Sequence, residues 1–374
     1  MIRSLSVALL ALVSTALACK VPVFRYALER WESDNYRAVI LYRGETQKSA
    51  TEALAAPLRE TSIANLEVEM LDVSALTEEQ QWQYDGLEDI GAQPVMRLYY
   101  PHQAKIEEPF WEGELSAETV SQTLDSPLRQ KIVQAILEGG STTWVLIESG
   151  DAEEDQTAET RLQRLLDDSA STLTIPEGVV RAEEVTAEGT TADGLPLEMD
   201  DVLRTGIPLK IEFPVIRVSP ETVEETIFLR MLTGISPRLR TIVPHQPVAF
   251  PIFGRGRALE GIPGSALNES SIGSACQYLC GECSCQVKDQ NPGIDLLLAV
   301  DWSEKLEGSL FMVERKLPAL SGLGIETTVT AETPAPVLTA GNSRMVPRAL
   351  ALTLGGLLIV IVFGTYLMNR RQSG

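Results

Sequence analysis

Apolar and polar positions alternate in this chain between two periods, one of strands and one of helices. YRAVILY, from Tyr36, is an almost unbroken apolar run and predicts a strand buried on both faces. QKSATEALAAPLRETS follows with the composition of a helix. In LEVEMLDV, Leu66, Val68 and Met70 alternate with Glu67 and Glu69, which predicts a second strand. Ser74 and Thr77 precede TEEQQWQYDGLEDI, a capped helix start that ends at Gly91. PVMRLYYP and PFWEGEL predict paired strands, and SAETVSQTL opens a helix on Ser116 with Thr119 three residues later. The order β-α-β-α-β-β-α defines an α/β unit whose last strands run antiparallel.

The order recurs. WVLIES near Trp144 predicts a strand, AETRLQRLLDD a helix, LKIEFPVIRV from Leu209 a strand, ETVEETIFLRMLTG from Glu221 a helix, and PVAFPIF from Pro247 a strand. Gln93-Pro94-Val95 aligns with Gln246-Pro247-Val248 at an offset of 153, and Asp72-Val73-Ser74 with Arg217-Val218-Ser219 at 145. Offsets this close predict a tandem duplication with small insertions. The acidic stretch from Ile175 to Gly206 reads as the main insertion, a hairpin or loop.

The two ends add a location. Residues 349–368, ALALTLGGLLIVIVFGTYLM, carry no formal charge over the length a helix needs to cross a bilayer. The opening MIRSLSVALLALVSTALAC has a basic start, an apolar run and small residues at Ala16 and Ala18, the pattern of a secretory signal. Cleavage after Ala18 would make Cys19 the first residue and a lipidation candidate, although Ala16-Leu17-Ala18 departs from the usual lipobox. Arginines flank the hydrophobic segment on both sides, so the signal sets the orientation: a main region on the periplasmic or exterior side of a bacterial plasma membrane. Membrane lipid is then one partner, through the C-terminal helix.

Charge narrows the partners further. Fifty-two Asp and Glu stand against 31 Lys and Arg, a net charge of −21 that repels phosphate backbones and excludes nucleic acid as the natural ligand. Two histidines, His102 and His245, leave almost nothing for a histidine metal centre or catalytic triad. Gly254-Arg255-Gly256-Arg257 lacks the third glycine of a phosphate loop and reads as a turn; Trp82, Trp111 and Trp302 read as core.

From Tyr36 to Leu137 the element order resembles the thioredoxin fold. Gly91-Ala92-Gln93-Pro94, Trp111-Glu112-Gly113 and the helix from Ser116 stand where that family has its proline, its turn and its closing helix. The resemblance implies cis bonds before Pro94 and, in the second copy, Pro247. It also implies C-x-x-C after the first strand of each copy, yet Tyr42-Arg43-Gly44-Glu45-Thr46 and Ser149-Gly150-Asp151 contain no cysteine. Both copies therefore resemble the non-catalytic thioredoxin-like domains that act as binding surfaces or spacers. CKVPVFRYALERW, FGRGRALEGIPG and CSCQVKDQNPGIDLL are also similar to a group of bacterial exported, membrane-anchored proteins of uncharacterised activity.

The fold class expected is thus α/β: two thioredoxin-like domains in tandem plus a C-terminal transmembrane helix. The divisions are a signal peptide at 1–18, domains at 19–140 and 141–317, a stalk at 318–348 poor in large apolar residues, the span at 349–368 and a cytoplasmic tail at 369–374.

Cys276, Cys280, Cys283 and Cys285 crowd into ACQYLCGECSCQ. A helix from Asn268 to Gly281 would put Cys276 and Cys280 on one face, with Cys283 and Cys285 in the turn beyond. Three chemistries fit: structural disulfides, favoured by export; zinc or another soft metal on four thiolates; or a redox pair exchanging disulfides with a partner. No other cofactor is expected. The sequence supports a non-catalytic membrane-tethered binding or scaffolding protein with an unknown protein partner. The alternative is an envelope thiol-disulfide or soft-metal-handling protein acting through Cys276–Cys285.

Overall fold

A computed structural model describes residues 19–307, apart from 79, 81–83, 85–89, 92, 187–189, 191–193, 195–196, 244 and 285. The signal sequence, stalk and membrane span expected at the two ends, Trp82, Cys285 and most of the helix expected before Gly91 lie outside the described residues. Residues to Lys316 form one unit and Leu317–Gly374 another, and every described residue belongs to the first. Among the described residues no helix is long and apolar enough to cross a membrane.

The chain enters through a strand and helix that the periodicity did not announce, β1 (Cys19–Pro22) and α1 (Val23–Arg30). The first sheet then forms from β2 (Tyr36–Tyr42), β3 (Leu66–Asp72), β4 (Val95–Tyr99) and β5 (Trp111–Glu114) in the order β3-β2-β4-β5. β2 runs parallel to β3 and antiparallel to β4, and β5 returns antiparallel to β4. Central β2 is apolar on both faces because both are covered: Tyr36, Ala38 and Ile40 enter one buried cluster, Val39 and Leu41 another. Helix α2 (Glu45–Glu60) crosses between the parallel strands; α3 (Ala117–Leu124) starts on the reciprocal capping box of Ser116 and Thr119; α4 (Pro127–Leu137) follows.

The second sheet repeats this plan. β6 (Thr143–Ile147) lies parallel to β7 (Val215–Val218) and antiparallel to β8 (Val248–Phe253), which pairs antiparallel with β9 (Arg257–Ala258). The order β7-β6-β8-β9 therefore matches that of the first sheet, strand for strand and direction for direction. Short β10 (Ile262–Pro263) also joins β8, and β12 (Ile294–Asp295) extends the sheet beyond β9. The crossover helix is α5 (Ala152–Thr172); α6 (Thr226–Gly234) and α7 (Pro237–Ile242) come between β7 and β8. The closing helix α8 (Glu269–Cys280) again begins on a capping box, Asn268 with Ser271. After it come β11 (Glu282–Cys283) and α9 (Trp302–Glu307).

β7 is shorter than the expected run from Leu209. Pro214 has no amide hydrogen to continue the ladder, and only its carbonyl takes part, accepting from Trp144 N at 2.8 Å. The helix expected from Glu221 begins at Thr226, after a single 3₁₀ turn at Val223–Glu225. The described part of the 175–206 insertion is a loop with two 3₁₀ turns, closed by a parallel bridge between Val180 and Val202.

Ile40, Met96 and Leu98 from the first sheet and Val145, Ile147 and Phe250 from the second belong to one buried cluster, with Ile132 and Ile136 of α4 and Phe228 and Leu232 of α6. At roughly 1.5–3 kcal/mol for each large side chain removed from water, this cluster is the main cohesive element of the two sheets. The outer face of the second sheet carries a separate cluster that includes Trp144, Leu146, Leu162 of α5, Leu279 of α8, and Phe24 and Ala27 of α1. The amino-terminal segment thus packs on the second sheet, although the first sheet follows it in sequence. Its anchor is the buried pair of Arg25 Nε and Glu29 Oε1 at 2.8 Å; Arg25 also donates to Thr205 Oγ1 at 2.8 Å, and Glu29 accepts from the Arg204 and Thr205 amides.

Candidate functional site

In each repeat the turn from the first strand into the crossover helix contains a glycine with positive φ, Gly44 at 73° and Gly150 at 92°. A side chain is strained there, so the chain reverses at glycine and the helix N-terminus faces the loop before the third strand. In the second repeat these parts enclose a cleft of about 550 Å³ lined by Asp151, Glu153, Glu154, Arg161, Gln246 and Pro247.

The helix end in this cleft is already satisfied by its own carboxylates. Asp151 Oδ1 accepts from the amides of Glu153 and Glu154 at 3.0 and 3.1 Å. Asp155, buried beneath the turn, accepts from Ser149 N at 2.7 Å, Ser149 Oγ at 2.9 Å and Gly150 N at 3.1 Å. The positive end of the helix dipole is thereby neutralised, and an added anion meets repulsion. The first repeat differs: Asp72 Oδ1 accepts from Gly44 N at 2.9 Å and Gln47 Oε1 from Arg43 N at 2.8 Å, which satisfies the turn, while the start of α2 has no side-chain cap.

Pro94 and Pro247 stand opposite these turns. The Pro94 carbonyl accepts from Leu115 N at 2.9 Å and that of Pro247 from Gly264 N at 2.7 Å, so each proline is tied to the segment leaving the last hairpin of its repeat. The cis bonds implied by the family resemblance are absent: among the described residues there is no cis peptide bond, and the bonds before Pro94 and Pro247 are both trans. Trans is the ordinary state of an X-Pro bond, and these turns close without the alternative.

The cysteines lie elsewhere, on the outer face of the second sheet. Cys276 and Cys280 occupy one face of α8, as their spacing predicts, and are 0% and 1% exposed. They face different neighbours, Ser169 of α5 for Cys276 and Ser141 for Cys280. Burial pushes both thiols up, to about 12 for Cys276 and about 11 for Cys280, so each is a protonated and poorly nucleophilic group at neutral pH. Cys283, 1% exposed, lies on β11; Cys285 is outside the described residues. Among the described residues no three His, Cys, Asp or Glu side chains are grouped to hold a metal ion.

Sequence spacing missed a fourth member of this group. Cys19 is 3% exposed, belongs to the same buried cluster as Cys276, Cys280 and Cys283, and sits opposite Cys283 on the β1–β11 ladder. Its Sγ donates to Asp200 O at 2.9 Å, and burial raises its pKa to about 11. A thioether-linked lipid on that sulfur, the candidate modification at Cys19, would have to leave the core. No local motif could have revealed this position, because the partners are separated by most of the chain.

No protein-family model, no curated protein and no solved structure matches this chain.

Proposed function

We propose that the protein is a single-pass membrane protein whose exported region, two thioredoxin-like units in tandem, binds or scaffolds another protein without catalysis. The observation that carries this reading is the state of the two crossover-helix turns. Where a thioredoxin needs a thiol activated by a helix N-terminus, this chain has glycine and carboxylates, with Asp155 and Asp72 taking up the amides of the two turns and Asp151 capping the second helix. The shared strand order of the two sheets, the paired glycines and the paired prolines support the thioredoxin-like relationship. The burial of Cys19, Cys276 and Cys280 argues against the alternative of an envelope thiol-disulfide or soft-metal-handling protein.

The cleft of the second repeat suits a cationic polypeptide segment, since Asp151, Glu153 and Glu154 line it against a single Arg161. The test uses the full-length protein in intact envelopes, with a photo-crosslinking residue at Thr157 in the cleft or at exposed Lys131 on α4. A discrete adduct from Thr157 alone, lost in the E153K/E154K variant, is expected. Equal labelling from both positions overturns the assignment of the cleft. Disulfide reductase activity that disappears when the cysteines are replaced overturns the non-catalytic reading.

A further inference from the structure

Five cysteines occur in the whole chain, and four of them converge in one buried cluster although Cys19 is separated from the others by more than 250 residues. We propose that Cys19 and Cys283 are joined by a disulfide that clips the amino-terminal strand to the segment after α8.

The geometry comes from the ladder. β1 and β11 form a two-stranded antiparallel sheet in which Cys19 is the register partner of Cys283. Residues directly opposed on an antiparallel ladder have Cα atoms about 4.5–5.5 Å apart and side chains on the same face, inside the roughly 4.4–6.8 Å that a disulfide spans. Both side chains enter the same cluster as free thiols, and the bond requires the Cys19 sulfur to turn from Asp200 O, to which it donates at 2.9 Å, toward its ladder partner. Cys276 and Cys280 are turned to Ser169 and Ser141 instead.

The surroundings show why a covalent clip belongs here. Among the described residues the ladder has two register pairs, Cys19 with Cys283 and Pro22 with Glu282, and an irregularity between them. A ribbon this short is marginal in water. Yet the segment is held in place by further bonds: Lys20 Nζ to Glu282 Oε1 at 2.8 Å, Lys20 N to Asp201 Oδ1 at 2.6 Å, and Val23 N to Gly281 O at 3.1 Å. The two sulfurs are thus kept at high effective concentration. Oxidation removes two protons and two electrons from the thiols. The oxidant is a protein disulfide of the exported compartment, or oxidised glutathione in vitro: it passes through a mixed disulfide and leaves as two thiols. Because burial holds the Cys19 proton tightly, exchange takes place while β1 is still undocked.

This inference rests on the exported placement in the reading above but not on the binding role. The experiment traps thiols in intact cells with N-ethylmaleimide and compares the full-length protein on reducing and non-reducing gels. A bond closing the chain from residue 19 to residue 283 makes the non-reduced form migrate faster. The shift is expected in the wild type and in C285S, and it should vanish in C19S and C283S. As a control against misfolded variants, differential alkylation of the wild type should label Cys19 and Cys283 only after reduction. A shift that persists in C19S, a Cys283–Cys285 bond, or an acylated Cys19 overturns the proposal. Purified reduced protein is treated with oxidised glutathione in parallel. A bond that forms there but not in cells upholds the pairing and overturns the exported placement, whereas failure in both overturns the pairing.

Discussion

Asp155 organises the second cleft through three hydrogen bonds to one buried carboxylate. Asp155→Ala strands two backbone amides and a hydroxyl under the turn, and a loss of about 2–4 kcal/mol is expected, read as a lower urea midpoint. Cys276 and Cys280 supply a pH signature. Each keeps its proton in the fold up to about 12 and 11 and releases it near 9.0 when unfolded. Above pH 9 the unfolded chain therefore binds fewer protons than the folded one, and stability falls as pH rises. The slope approaches about 2.7 kcal/mol per pH unit for two thiols, until they ionise in the fold as well. Buried Tyr36 and Tyr100, whose pKa values are also raised by burial, add to the fall above pH 10. Urea titrations at pH 8, 9 and 10 should show the decline, and the C276A/C280A variant should flatten its first part. At this scale the sequence was readable wherever chemistry is local: the Ser116 and Asn268 caps and the shared face of Cys276 and Cys280 follow from spacing alone. Asp155 was not, because nothing in an acidic helix start says which carboxylate turns inward.

Among the elements, α1 contributes most beyond what its eight residues suggest. Its Arg25–Glu29 pair is desolvated and fully engaged, so Glu29→Ala leaves a buried guanidinium without its counter-ion. A cost of about 3–5 kcal/mol is expected, and denaturant unfolding of the purified protein measures it. A corollary concerns fragments. Residues 141–307 alone leave Ala249 and Phe253 of β8 and Leu279 of α8 uncovered where α1 should lie, and this fragment should remain aggregation-prone until a peptide of residues 19–31 is added in trans. Light scattering and near-ultraviolet circular dichroism, with and without the peptide, check this. Helix α4 has a comparable dependence on Arg129, which donates to the end carbonyls of α3, Thr123 O at 2.6 Å and Gln122 O at 2.8 Å, and lies over the Phe228 ring. Strands β2, β3, β4, β5, β6 and β8 were legible from period and turn residues. β1, β9, β11 and β12 were not, because two to four residues carry no period and form only through distant partners.

For the molecule as a whole, the parallel arrangement of the two sheets was legible as a recurrence of element order, while their joining into one buried cluster through α4 and α6 was not. Faces meet through shape, and shape is not written in a binary pattern. The proposed exported topology rests on the two apolar ends of the sequence. An alkaline phosphatase fused ahead of residue 340 should be active in intact cells, and carbonate-washed membranes should retain the full chain; a silent fusion or a freely released product overturns that topology.

The docking of the amino-terminal segment on the second sheet sets a constraint on biogenesis. The residues from Cys19 reach their berth only after the ribosome has made α8, so they wait through most of synthesis with Phe24, Tyr26 and Trp31 lacking the partners that bury them. During that interval the nascent chain carries an apolar segment open to aggregation. Any ribosome that stops short of α8 releases a product whose beginning has nowhere to go.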